Sequence, residues 1–383
     1  MKHLTYGGSS AARTEKCPGW IEQSKDIPRH PVGQAAIDGS MHHEVQQKVQ
    51  EQGKNPADFL GLVYEEGDGR TVQFKDEHLD MADALFAHTE DILDKYEIED
   101  IMVEPFVQLV PDLAGGSIDL LGISKDKTLA LFLDYKTGRH GVKPKENSQC
   151  FMYAASAMTD PLTKHLFDKV KTIIFVIVQP PCGKQASQWK TTPARVRKWE
   201  KKFKQAMDSR EIHPGGHCQY CPAAPTCATK RADVVAAMAH GGRGRADLQA
   251  SADMVAQVED WVKSVKQELY FQLGEGTAIK GWKIVDRVAK RKWINEGIAK
   301  AAMMEYGFKE SEITTTTLMT APQCEALMKK QKLPLQIFDP DHEQALVDKK
   351  SSGTTLAPAD SEGEAVVPSE NPDNLKALVT GAA

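Results

Sequence analysis

The segment LALFLDYK, residues 129–136, is an apolar run that ends in Asp134-Tyr135-Lys136, and GGSIDLL, residues 115–121, carries Asp119 inside a second such run. Short apolar runs bounded by turn-type residues read as buried strands. Working outward, strands are expected over 101–110, 116–124 and 128–135, with PDLAGG and KDK as the turns between them. Helical patterns over 33–51 and 78–96 precede this group. A helix over 147–157, a buried-type strand over 172–179 and a basic helix over 193–207 follow it. The order helix, strands, helix, strand predicts an α/β fold.

A carboxylate at the end of one strand and another on its neighbour can converge on a hard cation, because Mg²⁺ or Mn²⁺ seeks a few oxygen ligands. Lys136 lies two residues after Asp134 and so projects from the same strand face. There it can steer or deprotonate a water and offset charge building on a phosphate. Glu104, in the first strand, can join the metal directly or through water. Taken alone these are ordinary strand-end charges, and D-x-K recurs often by chance. Gln149 and Tyr153, four apart on one helix face, and His43, on the helix before the sheet, give the motif its company. His42 is the competing histidine.

A second constellation is Cys218-x2-Cys221-x5-Cys227 in HPGGHCQYCPAAPTC, residues 213–227. Cysteines two apart chelate one centre without needing a helix or strand between them. Cys17, in KCPGW, is the best fourth ligand, and it would close the region like a clasp. Either a 4Fe-4S cluster or tetrahedral Zn²⁺ suits four thiolates. Cys150, Cys182 and Cys324 have no such partners and read as structural.

Together His43, Glu104, Asp119, Asp134-Tyr135-Lys136 and Gln149-x-x-x-Tyr153 resemble the RecB-like branch of the PD-(D/E)xK nucleases. The resemblance implies a restriction-endonuclease-like core, a mixed central sheet flanked by helices. It also implies that His43, Asp119 and Asp134 hold the metal with a main-chain carbonyl, Glu104 beside them, while Lys136 serves the nucleophilic water. Gln149 and Tyr153 would contact the DNA backbone and position the lysine. His43 is preferred to His42 because GSMHHEV, residues 39–45, fits the family's Gly-x-x-x-His-Glu pattern. In the cluster-bearing members, including the AddB nuclease domain and nucleases of CRISPR adaptation, one cysteine precedes the core and three follow it as C-x2-C-x5-C. By that resemblance Cys17, Cys218, Cys221 and Cys227 are ligands of a 4Fe-4S cluster, with Zn²⁺ as the alternative. NSQCFMYAASA, IIFVIVQPP and GWKIVDRVAKRKW extend the likeness, over roughly residues 10–345, to an uncharacterised phage and prophage family of that superfamily. The segment DYKTGRHG departs from relatives that carry a Lys-Tyr-Gly-Lys-Gly run. The implied function is a metal-dependent DNA exonuclease of phage replication or recombination. The implied partners are DNA and phage single-strand-binding or replication proteins. A non-catalytic, cluster-stabilised DNA-end-binding or replication-complex protein is the competing class.

The whole chain has 383 residues and a formal net charge of -5, which excludes a histone-like binder and leaves local patches to attract nucleic acid. Lys184, Lys190, Arg195, Arg197, Lys198, Lys201, Lys202 and Lys204, with Trp189 and Trp199 interleaved, form one candidate DNA track, against the plainer reading of a solvated helix face with Trp199 as a core anchor. Residues 280–292, ended by Trp282 and Trp293, form a second. With no apolar signal core or membrane-length run, a cytoplasmic protein is expected, in the host cell if phage-encoded. Seven cysteines without a secretory signal argue against a disulfide scaffold. The expected domains are a nuclease region over 1–232, a mostly helical region over 233–345 and a disordered tail over 346–383.

Overall fold

A computed structural model describes residues 4–28, 30–183, 185–239, 245–286, 292–314, 319–340, 342–348 and 354–358. It is a mixed α/β structure in two compact units, Met1–Glu268 and Leu269–Ala383. The division falls inside the long helix Arg245–Gly274 rather than at residue 232, so part of the expected helical region belongs to the first unit.

The first unit is organised by a five-stranded sheet. In chain order its strands are β1 (Ile98–Val103), β2 (Leu120–Ser124), β3 (Leu129–Tyr135), β4 (Thr172–Val178) and β5 (Ser187–Thr191). Their spatial order is β5-β4-β3-β2-β1. Only β3 and β4 run parallel; the other pairs are antiparallel. The parallel pair needs a crossover, and the helix Ser148–Ala157 supplies it. Strand β3 alternates between two cores, as the period of two requires. Ala130 and Phe132 pack with Phe151, Ala154, Trp199 and Phe203 from Ser148–Ala157 and the helix Pro193–Asp208. Leu131, Leu133 and Tyr135 pack on the other face with Leu85, Ile92 and Leu93 of the helix Leu79–Lys95. A further helix, Gln34–Gln52, buries Met41, Val45 and Val49 against Phe74 and Ala82.

Residues 101–110 and 116–124 are each expected as one strand, but both break in two at a carboxylate. The chain runs through β1, bends at Glu104-Pro105, and continues as Phe106–Val110; it returns through Ala114–Ser117, bends at Ile118-Asp119 and enters β2. Opposed bends keep the hairpin hydrogen-bonded, through Glu104 N–H to the Asp119 carbonyl (3.2 Å) and Ile118 N–H to the Pro105 carbonyl (3.2 Å). Glu104 takes a left-handed φ of 48°, a conformation that costs a non-glycine residue roughly 1–3 kcal/mol. The distal half joins a separate three-stranded sheet with Tyr6–Gly7, and its Val107, Leu109 and Ala114 share the core with Phe151 and Tyr153. Part of PDLAGG is therefore strand, and only 111–113 remain as the turn.

The second unit has its own core of Met303, Phe308, Ile313, Cys324, Met328, Ile337, Phe338 and Val347. Its helices are Glu296–Glu305, Glu310–Ile313 and Ala321–Lys330. Two antiparallel ladders accompany them. One corrects the expected tail, because Thr354–Pro358 pairs along its length with Trp282–Asp286. Backbone pairing makes few demands on side-chain type, so a Ser/Thr-rich composition did not reveal this strand. Residues 359–383 lie outside the described residues, as do Lys184 and 287–291 of the two basic stretches and 240–244 of the Gly-rich break. Among the described residues no helix is long and apolar enough to cross a membrane.

Candidate functional site

One cavity of about 830 Å³ in the first unit is lined by His43, Glu104, Asp119, Asp134, Lys136, Gln149 and Tyr153 together. The hairpin bends deliver Glu104 and Asp119, and the end of β3 delivers Asp134 and Lys136. Asn147 caps the next helix by accepting hydrogen bonds from the Gln149 and Cys150 N–H groups. This cap sets Gln149 in the first turn and Tyr153 one turn later on the same face.

Ligand atoms of His43, Glu104 and Asp119 lie within 4.8 Å of one another. His43 Nδ1 is 3.2 Å from Asp119 Oδ1, and Tyr135 N–H donates to Asp119 Oδ2 at 2.6 Å. Asp134 lies in the same cavity but outside this triad. Its Oδ1 accepts from Gln149 Nε2 at 3.0 Å, and Lys136 Nζ is 2.5 Å from its Oδ2. That oxygen is buried, with the Lys136 ammonium against it. Gln149 Nε2 also reaches the Tyr153 hydroxyl at 2.9 Å. His42 turns away from this group: it is buried with Phe74 and His78, ring centroids 6.1 and 5.8 Å distant.

Electrostatically the site holds protons. Burial opposes a charged His43, but Asp119, by charge and hydrogen bond, and Asp134 outweigh it and push its pKa up to about 9. Burial and then the neighbouring Asp119 charge raise Glu104 to about 7. Burial acts to raise the Asp119 pKa, but His43 and Lys136 hold it below the ordinary carboxylate value. Asp134 is raised because burial outweighs its ion pair with Lys136. Burial disfavours the Lys136 ammonium, yet Asp134 and Asp119 raise its pKa, so it stands as a cation. Tyr135, behind His43 with ring centroids 5.8 Å apart, shares a 3.2 Å hydrogen bond with Thr89; sequence reasoning gave neither residue a role. A Cβ on Gly8 would stand 2.6 Å from Tyr153 Cε1, so only glycine lets the N-terminal segment approach this ring.

Beside this cavity Cys17, Cys218, Cys221 and Cys227 line a second, small one of about 20 Å³. Three sulfurs accept backbone N–H groups at 3.4 Å: Cys17 from His213, Cys218 from Gly215 and Cys227 from Lys230. Cys221 and Trp20 line both cavities. Among the described residues no three cysteine sulfurs come within 4.8 Å of one another. Cys150 and Cys324 are buried in the two units' cores. Cys182 is exposed, its sulfur against the Gly138 and Arg139 carbonyls.

The first basic stretch is less open than its composition suggests. Trp199 is buried, stacked on Phe151 and Phe203 with centroids 5.7 and 4.8 Å away, and is no base-stacking platform. Trp189 packs on Phe151 and Phe175, under the Arg195 guanidinium. Arg195 pairs with Glu146, while Arg197 and Lys204 pair with Glu200. Lys198, Lys201 and Lys202 remain exposed. In the second stretch the Trp293 indole donates to the Met319 carbonyl at 2.9 Å, fixing that ring in the second unit's core.

A family profile described as "Protein of unknown function (DUF2800)" matches residues 3–362, and the chain belongs to this family. No curated protein matches. A solved structure described as "Crystal structure of SSO0001" is similar at 11% identity and a TM-score of 0.25, covering 60% of this chain and 88% of that one.

Proposed function

We propose that the chain is a metal-dependent deoxyribonuclease of the RecB-like PD-(D/E)xK type, most simply a DNA exonuclease. The observation that carries the reading is the convergence of His43, Glu104, Asp119, Asp134, Lys136, Gln149 and Tyr153 on one cavity, from elements far apart in sequence. The donor set suits a hard divalent cation: His43, Glu104 and Asp119 are already within mutual reach, and Asp134 lines the same cavity beside them. Bound Mg²⁺ or Mn²⁺ supplies Lewis-acid polarisation of a phosphoryl oxygen and a more acidic water. The protein's share is positional and electrostatic. Lys136, cationic beside Asp134, offsets negative charge on the phosphate as the bond breaks. Gln149 bridges Asp134 and Tyr153 and so fixes the carboxylate that holds the lysine. The Tyr135 N–H holds Asp119, which in turn orients His43.

Cys17, Cys218, Cys221 and Cys227 are read as ligands of a 4Fe-4S cluster, with Zn²⁺ as the alternative; their shared cavity and the three N–H···S contacts support a common centre, and the family resemblance supplies the cluster. Hydrolysis needs no redox step, so the cluster serves as a clasp between the two ends of the nuclease region. Work on DNA in phage replication or recombination follows from the family resemblance. The test is cleavage of end-labelled single- and double-stranded DNA by anaerobically purified protein with Mg²⁺, Mn²⁺ or chelator. Metal-dependent release of nucleotides is expected, and protein of full iron content that binds DNA without cutting it under any of these conditions refutes the enzymatic reading.

A further inference from the structure

Three carboxylates, Glu104, Asp119 and Asp134, line the cavity in which a polyanion is proposed to react, so its cations need accounting for. Lys136 is committed to Asp134, His43 to Asp119 and His30 to Glu268. Arg13 also lines the cavity, yet among the described residues no carboxylate pairs with it and its Nε is buried without a hydrogen-bond partner. Its guanidinium carbon sits 4.4 Å from the centroid of the Trp20 ring. A cation over the ring face at this distance is held by the ring quadrupole, and the other guanidinium N–H groups keep their capacity to donate. Two parallel N–H donors match two oxygens of a phosphodiester.

We infer that Arg13 is a substrate-binding residue of this cavity, gripping a backbone phosphate of the nucleic acid while Trp20 holds the guanidinium in place. The inference rests on the nuclease reading and deepens it. The place of Arg13 adds a second consequence. The helix Ala11–Lys16 that carries it leads directly into Cys17, and Trp20 walls both the large cavity and the cysteine cavity. Cys221, Cys218 and Cys17 lie close to the Arg13 guanidinium. A filled cysteine centre therefore anchors the segment that presents Arg13 and Trp20 to the substrate. This ties the clasp to DNA binding without giving it any electron-transfer role.

The test is fluorescence anisotropy of a short end-labelled single-stranded oligonucleotide, with Ca²⁺ replacing Mg²⁺, across a salt series. Iron content and melting are measured on the same samples of wild type, Arg13→Gln and Arg13→Lys. Arg13→Gln should weaken binding roughly 10- to 100-fold and lower the salt slope by about one unit. Arg13→Lys should restore the slope but not the full affinity, since it keeps the charge and loses the planar fork. Iron content should stay at the wild-type level. Unchanged affinity and slope in a variant that keeps its iron overturns the inference. So does joint loss of iron in both variants, which would make Arg13 a structural partner of the cysteine centre. Absence of oligonucleotide binding by wild type would instead defeat the nuclease reading itself.

Discussion

Metal binding at the His43, Glu104 and Asp119 group should be strongly pH-dependent, and its size follows from the charges already in the site. His43 titrates at about 9, so at pH 7 only ~1% of it is the neutral imidazole that can ligate a cation. The penalty on apparent affinity at pH 7 is therefore ~100-fold, or ~2.7 kcal/mol. Affinity for Mn²⁺ should rise about tenfold per pH unit between 7 and 9 as one proton is displaced. Below pH 7 Glu104, at about 7, adds a second proton and steepens the slope to roughly 100-fold per unit. Anaerobic titration calorimetry at pH 8, in two buffers of different ionisation enthalpy, should record about one proton released per ion. The metal-free protein should show the converse in its stability. Glu104 and His43 both bind protons more tightly when folded, so Glu104's contribution is lost as pH rises from about 4.5 to about 7. His43's is complete below about 6.5 and gone above about 9. The melting temperature of metal-free protein should fall across this range, and Mn²⁺ should raise it more at pH 9 than at pH 6. Affinity independent of pH between 7 and 9, with no proton release, would refute the assignment of His43 as a ligand.

Asp119→Ala, Asp134→Ala or Lys136→Ala should lower cleavage by roughly 10²- to 10³-fold or more while DNA binding and folding persist, and normal turnover by purified Asp134→Ala would remove this site from consideration. Cys17→Ala and Cys221→Ala should lose iron and thermal stability together, because one centre restrains both ends of a long loop; wild-type iron and melting in Cys17→Ala alone would exclude Cys17 as the fourth ligand. Gly8→Ala should destabilise by roughly 1–3 kcal/mol through its clash with the Tyr153 ring, read by denaturant unfolding. Truncation after Pro358 should leave both units folded, whereas truncation after Lys350 removes the strand paired with Trp282–Asp286 and should lower the second unit's melting transition.

The layered α/β core was legible because its strands obey local rules. LALFLDY and TIIFVIV are apolar at nearly every position since both sheet faces are covered, and Asn147 marks the start of its helix by a cap visible in the sequence. The expected helix 33–51 differs from Gln34–Gln52 by a residue at each end. What stayed hidden depended on contacts made at a distance. Trp199 could be read either as a base platform or as a core anchor, and what decides for the core is Phe151, from a helix more than forty residues earlier, which occupies its face. Arg13 reads as one charge in a short polar helix until Trp20 and the cavity wall are seen around it.

The hairpin bends explain why the carboxylates were easier to select than the geometry that uses them. An unbroken strand over 101–110 would alternate its side chains and continue the large sheet. Instead the left-handed Glu104 before Pro105, matched by the bend at Asp119, turns the ladder out of that sheet. Its distal half then packs over Phe151 and Tyr153 and pairs with Tyr6–Gly7. One local distortion thus presents two carboxylates to the cavity and draws in the N-terminal segment that carries Arg13 and Cys17. A sequence can announce Glu104 and Asp119 as candidate ligands by type. That the bend at Glu104 also brings the carboxylates beside the segment carrying Arg13 and Cys17 depends on the backbone angle of a single residue, and propensity scarcely encodes it.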